Sequence, residues 1–247
     1  MCGIYGITAA PDRNIVPWGM AGIRRLEYRG YDSAGLAVQN GAELLIVRSV
    51  GAIAALREAI SGRAIASHAG IWHTRWATHG APSEKNTHPH TGCDARFAVV
   101  HNGTIENHDA LRRALAAAGH RFTSETDTEV VPHLLEEEYC GSLAETMRAV
   151  IRRIEGTFAL VAIAADEPGV IVASRRSSPL VIGFLPDARL IASDAQAMAI
   201  HTQEVVHLED GDIAVLTPAG HTIMDAGAAP HARSSQHIEL EAEGTEL

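Results

Sequence analysis

Met1-Cys2-Gly3-Ile4-Tyr5-Gly6-Ile7 is the stretch from which the rest of the chain is read. Residues 3–8 are apolar and punctuated by glycine, the pattern of a short strand buried on both faces, and such a strand carries Cys2 at its leading end. A strand end is a rigid mount. If Met1 is trimmed, Cys2 becomes the first residue and holds two reactive groups, a nucleophilic thiol and an α-amine. The reference pKa of that amine, about 7.7–8.0, lets it accept a proton near neutrality. One residue then supplies nucleophile and base. The alternative is a structural cysteine that merely follows Met1, and position alone does not separate the two.

Outward from this strand the pattern alternates between helices and strands. Asn14 is placed to cap a helix with apolar positions Ile15, Met20, Ile23 and Leu26, with Arg24 and Arg25 suited to its C-terminal dipole and Gly30 as its stop. Strands over 35–39 and 44–48 flank Asn40-Gly41, a strong hairpin signal, and a helix over 52–60 ends at Gly62. Residues 69–74 and 97–101 read as buried strands on either side of a long loop rich in His, Pro, Thr and Gly, a kind of segment that is usually functional or mobile. Asn107 opens a helix with Leu111 and Leu115 on its buried face and Gly119 at its end. Thr126-Asp127-Thr128-Glu129 has the form of a capping box, with Pro132 predicting a late start or a bend in the helix that follows. Ser142-Leu143-Ala144-Glu145 is a second box, leading a helix to Gly156.

From Thr157 the period shortens to strands over 158–164, 170–173, 180–182, 190–192, 205–208 and 213–216. Strands at both ends with helices between them favour two packed sheets covered by helices on their outer faces. One domain over 2–225 is expected, with 226–247 a polar, finally acidic tail or linker.

Composition limits the function. The 247 residues are 46% hydrophobic, enough for a sizeable core, and Lys+Arg 20 against Asp+Glu 30 leaves a charge of −10 that disfavours nucleic acid or an anionic membrane as partner. Cys2, Cys93 and Cys140 are too scattered for a disulfide scaffold and suggest a reducing compartment. No apolar run approaches the roughly 18 residues of a membrane span, and a cytoplasmic location is expected.

A terminal thiol needs donors for a developing oxyanion and groups that hold a substrate. His101-Asn102-Gly103 follows the strand over 97–101 and ends it at a glycine, combining a side-chain amide with a sterically open backbone N–H, an oxyanion-hole composition, although Asn-Gly is also an ordinary turn. His73-Thr74-Arg75-Trp76-Ala77-Thr78-His79-Gly80 offers a guanidinium for a carboxylate, and Asp127 could accept from an ammonium group. Together they fit a free amino acid; taken singly, Arg75 is better explained by pairing with a nearby acid and Asp127 by the helix dipole. The fourteen histidines, densest at His88-Pro89-His90, raise a metal site, but without HExxH or C-x-x-C they read as loop hydrogen-bonding groups, and neither metal nor cofactor is expected. Arg29 and Asp32 could brace the N-terminus or pair with each other.

In combination, Met1 to Ile4, Arg29-Gly30-Tyr31-Asp32-Ser33-Ala34-Gly35, His73 to Gly80, His101 to His108 and Thr126 to Glu129 resemble the class II glutamine amidotransferases. Within that family the wording is nearer to the glutaminase domains of the isomerising, amino-sugar-forming members than to those of the phosphoribosyl amidotransferases. The resemblance runs from Cys2 to about Thr217. It implies an α+β fold of the Ntn-hydrolase kind, an αββα sandwich of two antiparallel sheets. It also implies L-glutamine as substrate, with Cys2 as nucleophile and Asn102 and Gly103 around the oxyanion. Arg75 and Asp127 would hold the α-carboxylate and α-ammonium groups, Thr78 and His79 would complete the pocket, and Trp76 would stand at the exit for ammonia. Arg29, His88 and His101 would support the site. A sugar-phosphate isomerase domain or subunit is the implied partner, and no stretch here matches one. The competing class is a glutamine-sensing module that has lost its chemistry.

Overall fold

Alternation along the first strand sends its side chains to two different cores. In the computed structural model, which describes residues 2–76 and 80–239, β1 (Gly3–Ala9) is buried throughout. Tyr5 and Ile7 face one core and Ile4 another, the period-two geometry of a strand covered on both sides. Along the chain follow α1 (Val16–Arg24), β2 (Ser33–Asn40), β3 (Glu43–Val50), α2 (Ile53–Ile60), β4 (Ala69–Arg75), β5 (His90–Thr91), β6 (Phe97–Ile105), α3 (His108–Ala117), α4 (Val130–Glu138) and α5 (Leu143–Arg153). The remainder is strand: β7 (Gly156–Ala164), β8 (Ile171–Arg176), β9 (Val181–Leu185), β10 (Ala188–Ala192), β11 (Glu204–His207), β12 (Ile213–Thr217), β13 (Gly220–Met224), β14 (Pro230–His231) and β15 (Gln236–His237).

The strands form an eight-stranded sheet, ordered β15-β11-β9-β10-β1-β4-β2-β3, and a seven-stranded sheet, ordered β14-β13-β12-β8-β7-β6-β5. Neighbouring strands run antiparallel. One core lies between the sheets, built from Ile4, Ile71, Val100, Val161 and Ile191 among others. A second packs α1 and α2 on the outer face of the larger sheet, and a third packs α3, α4 and α5 on the smaller. The result is the expected αββα sandwich. Gly19 and Gly22 let α1 lie close on its sheet, since a Cβ at either would come within 2.2 or 2.3 Å of ring carbons of Trp72 and Tyr5.

Local signals predict element types better than their ends. Asn14 does not cap α1 from the adjoining position, which Ile15 occupies; instead its Oδ1 accepts from Val16 N at 3.2 Å and its Nδ2 donates to Ile65 O at 3.3 Å. The hairpin turn lies one residue later than expected. Asn40 pairs with Glu43, and Gly41, with φ +64°, takes the first central position of the turn. The box at Thr126 to Glu129 does not form, because Glu129 accepts from Thr123 N and Ser124 N at 2.7 and 2.8 Å and so ties down the preceding loop. Helix α4 starts after it, with Pro132 in its first turn. The second box forms in part: Ser142 Oγ accepts from Glu145 N at 3.5 Å, while the Glu145 carboxylate turns to Arg148.

Strand β6 does not end at Gly103 but runs on to Ile105, because it stays paired with β7 throughout. Beyond Pro218, where the sequence reading gives no strand, the chain continues in short strands. β13 pairs with β12, β14 and β15 add edge strands to the two sheets, and Arg233 pairs with the buried Asp212.

Candidate active site

The register between β1 and β4 decides what stands beside Cys2. Gly3 pairs with Thr74 and Ile4 with His73, so Arg75, the last residue of β4, and Trp76 after it arrive at the strand end that carries the thiol. Trp76 N–H donates to Cys2 Sγ at 3.3 Å, and the Trp76 carbonyl lies 3.7 Å from the same sulfur. From the other sheet β6 brings Asn102, whose Nδ2 donates to the Cys2 carbonyl at 2.9 Å.

The Asn102 amide is itself held. His73 Nε2 lies 3.0 Å from Asn102 Oδ1 and 3.1 Å from His101 O, both acceptors, so this nitrogen carries the proton. Burial pushes the His73 pKa down to about 3, which keeps the ring neutral and its remaining proton on the donating side. Beside Asn102, Gly103 has φ +134°, and a Cβ there would come within 2.1 Å of Thr157 O. Only glycine fits such a position.

Asp127 comes from the connection between α3 and α4. Its Oδ2 accepts from Ile105 N at 2.8 Å, and Arg112 binds the carbonyls of Ser124 and Thr126 at 3.0 and 2.7 Å, so the loop is pinned at the carboxylate and just before it. A pocket opens between Cys2, Arg75, Trp76, Gly103 and Asp127, with His88, His101, Thr126 and Thr128 behind. Arg75 and Asp127 are 3% and 6% exposed, burial that surface ion pairs do not show. A larger groove between α1 and α2, lined by Arg24, Glu27 and Arg57 among others, holds no nucleophile.

Electrostatics in the pocket follow from burial. Desolvation raises the Cys2 thiol above its ordinary value, against the Trp76 N–H, the chain's amino terminus and Arg75, which lower it. The thiol is therefore protonated at neutral pH and needs a base. Burial lowers His88 well below the imidazole range and lowers His101 as well. Both neutral rings meet Thr128 Oγ1, at 3.1 and 2.8 Å. His90 Nε2 lies 3.0 Å from Thr126 Oγ1. These histidines support the loop that carries Asp127.

The structure thus gathers Cys2, Arg75, Trp76, His88, His101, Gly103 and Asp127 around one pocket, with Asn102 bonded to the residue that carries the thiol. Arg29 lies behind it: Nη1 pairs with Asp194 at 2.9 Å, and the neighbouring Ser193 exchanges hydrogen bonds with Ile4, so Arg29 braces β1 through that corner. Thr78 and His79 lie outside the described residues. Sequence reasoning missed the positioning role of His73, the main chain of Trp76, and the Ser193-Asp194 brace. Polar residues closing a buried strand were the available signal at 193–194, the same signal that marked Asn102.

Residues 73–200, more than half of the chain, match the model of the glutamine amidotransferase domain. The chain belongs to that family. Over its whole length this amidotransferase domain is 45% identical to the isomerizing glutamine–fructose-6-phosphate aminotransferase of Thermus thermophilus, of which it covers 40%. It is also 45% identical to that of Streptomyces coelicolor and 41% identical to that of Bordetella pertussis. The chain spans about two fifths of the length of these relatives. Among solved structures, the glutamine phosphoribosylpyrophosphate amidotransferase of B. subtilis superposes with TM-score 0.78 at 22% identity, covering 91% of this chain and 49% of the other. A class-II glutamine aminotransferase domain protein from Silicibacter pomeroyi gives TM-score 0.57 at 15% identity over 91% of this chain and 99% of the other. The amidotransferase domain therefore has the Ntn-hydrolase fold that the resemblance implied. No helix among its described residues is long and apolar enough to cross a membrane.

Proposed function

We propose that these residues hydrolyse L-glutamine to glutamate and ammonia through a γ-glutamyl thioester on Cys2, as the ammonia-generating part of an isomerising glutamine–fructose-6-phosphate aminotransferase. The observation that carries this is the buried pair Arg75 and Asp127 lining one pocket with Cys2. A guanidinium takes an α-carboxylate bidentately, a carboxylate takes an α-ammonium, and the substrate's side-chain amide then extends to the thiol. The half-exposed Trp76 stands on the side from which ammonia leaves.

The sulfur adds to the amide carbon, and Asn102 Nδ2 with Gly103 N–H stabilise the oxyanion that forms. Because burial keeps the thiol protonated, attack requires a base. The α-amine of Cys2, freed by removal of Met1, takes the thiol proton and returns it to the leaving nitrogen, so that the C–N bond breaks and ammonia departs. Water then adds to the thioester, the amine accepts its proton, and cleavage of the C–S bond yields glutamate and the thiol.

The 45% identity to an isomerizing aminotransferase favours a sugar-phosphate isomerase domain or subunit as partner, which would use the ammonia to make glucosamine 6-phosphate from fructose 6-phosphate. A glutaminase assay on protein whose amino terminus is defined by intact mass tests the hydrolytic step. Glutamate should form only when Met1 is absent; a correctly trimmed, folded protein that forms none would overturn the assignment.

A further inference from the structure

Three segments distant in sequence meet beyond the end of β5: the β5–β6 loop with Cys93, the connection after α3 with His120, and α4, where His133 and Glu136 share one helix face. His120 Nδ1 and His133 Nδ1 are 3.2 Å apart and lie 3.2 and 3.3 Å from Glu136 Oε2. Cys93 Sγ stands 3.9 and 3.7 Å from the two nitrogens, and the four ligand atoms all lie within 4.8 Å of one another.

The five separations given are close to those of a tetrahedral zinc sphere. Bonds of about 2.3 Å to sulfur and about 2.0–2.2 Å to nitrogen and oxygen, spread at the tetrahedral angle, put nitrogen and oxygen donors about 3.3 Å apart and sulfur about 3.6 Å from each. Hydrogen bonding alone accounts for the cluster less well. Both imidazole Nδ1 atoms converge on one carboxylate oxygen and on each other, and the thiol faces both nitrogens.

The surroundings orient both anionic donors. Asp94 N donates to Glu136 Oε1 at 3.2 Å, leaving Oε2 to the cluster, and Arg121 N donates to Cys93 Sγ at 3.4 Å. Cys93 is exposed, which provides a path of entry.

We propose that Cys93, His120, His133 and Glu136 form a structural Zn²⁺ site. A thiolate and a carboxylate balance the charge of the dication, two neutral imidazoles complete the sphere, and four protein ligands leave no open position for substrate or reactive water. The ion would tie the α3–α4 connection, which carries Asp127 seven residues after His120, to α4 and the β5–β6 loop.

The test is titration of the reduced, chelator-stripped chain with Zn²⁺ and with Co²⁺. Wild type should take up one ion per chain by elemental analysis, show the visible bands of tetrahedral, thiolate-ligated Co²⁺, and gain thermal stability with Zn²⁺. Cys93→Ala, at an exposed position that does not threaten folding, and His120→Asn should each bind roughly 100-fold or more weakly and lose the Zn²⁺-dependent stabilisation. Cys2→Ala should bind as wild type does, since its thiol belongs to the other pocket. Absence of stoichiometric uptake by wild type, or uptake that survives Cys93→Ala but is lost in Cys2→Ala, would overturn the site.

Discussion

His73 Nε2 lies 3.0 Å from Asn102 Oδ1, and this contact decides which end of the Asn102 amide faces Cys2. With the oxygen turned to the histidine, Nδ2 is the atom 2.9 Å from the Cys2 carbonyl, at the end of β1 where the thiol is mounted. A neutral, fully buried imidazole thus serves as a fixed donor that keeps another donor pointed at the site.

Replacing Asn102 with Asp keeps the volume but substitutes an acceptor for that donor. Turnover of glutamine should fall by on the order of 10²–10³ with a smaller change in KM. Steady-state glutaminase kinetics checks this, and near-wild-type kcat would reduce Asn102 to a strand residue.

Cys2→Ala removes the nucleophile but leaves Arg75 and Asp127 in place. Hydrolysis should be abolished while glutamine still binds, read by calorimetry or by ligand-induced thermal stabilisation. Turnover at the wild-type rate would rule out the thiol mechanism.

Asp127→Asn tests the α-ammonium contact with little damage to the fold, since the amide oxygen can still accept from Ile105 N. A lost charge-assisted hydrogen bond is worth about 1.5–3 kcal/mol, so KM for glutamine should rise roughly 10- to 100-fold with a lesser effect on kcat. An unchanged KM would remove Asp127 from substrate binding.

The buried histidines make stability depend on pH. His73, His88, His90 and His101 all have imidazole pKa values lowered by burial, His73 to about 3 from 6.5. Between those two values the unfolded chain binds the proton that the folded chain refuses, so the stabilisation is complete above about pH 6.5 and is lost as pH falls. Urea unfolding at a series of pH values should show stability declining from about pH 6.5 downward, by up to about 1.4 kcal/mol per pH unit for each histidine. His90→Gln should flatten that slope by one proton. A flat profile from pH 7 to 4 would show that these rings titrate normally.

Acceptor chemistry, on the proposed reading, belongs to the part of the relatives that this chain does not match. The 247 residues alone should release one free ammonia for each glutamate formed, and fructose 6-phosphate should neither stimulate turnover nor yield glucosamine 6-phosphate. Coupled assays for glutamate and ammonia, with chromatography for the amino sugar, measure both. Amino-sugar synthesis by the chain alone would show an acceptor site within it.

Much of this was legible along the chain. The strand behind Cys2, the switch to short strands after Thr157 and the amphipathic α3 and α5 follow from apolar periodicity, which is a local property. Boundaries were less legible because they depend on pairing: Gly103 looks like a strand end in sequence, yet β7 holds β6 straight through it. Glu129 looks like half of a capping box, but the loop from Thr123 competes for its carboxylate more effectively than the helix does.

The sequence by itself determined the order of the longer elements as far as β12, the two-sheet architecture, and the reactive groups available: a thiol behind Met1, a guanidinium, an amide beside a glycine, and a carboxylate. Only the tertiary structure decided which of them meet. Cys2 and Asn102 are 100 positions apart, and their contact exists because antiparallel register fixes the end of β1 against β4 while the packing of the second sheet brings in β6. Cys93, His120, His133 and Glu136 match no spacing motif, and three separate segments had to fold together before their donor atoms came within 4.8 Å. Periodicity records how each segment buries its own apolar face, whereas convergence of side chains depends on register and layer packing, which no single segment encodes.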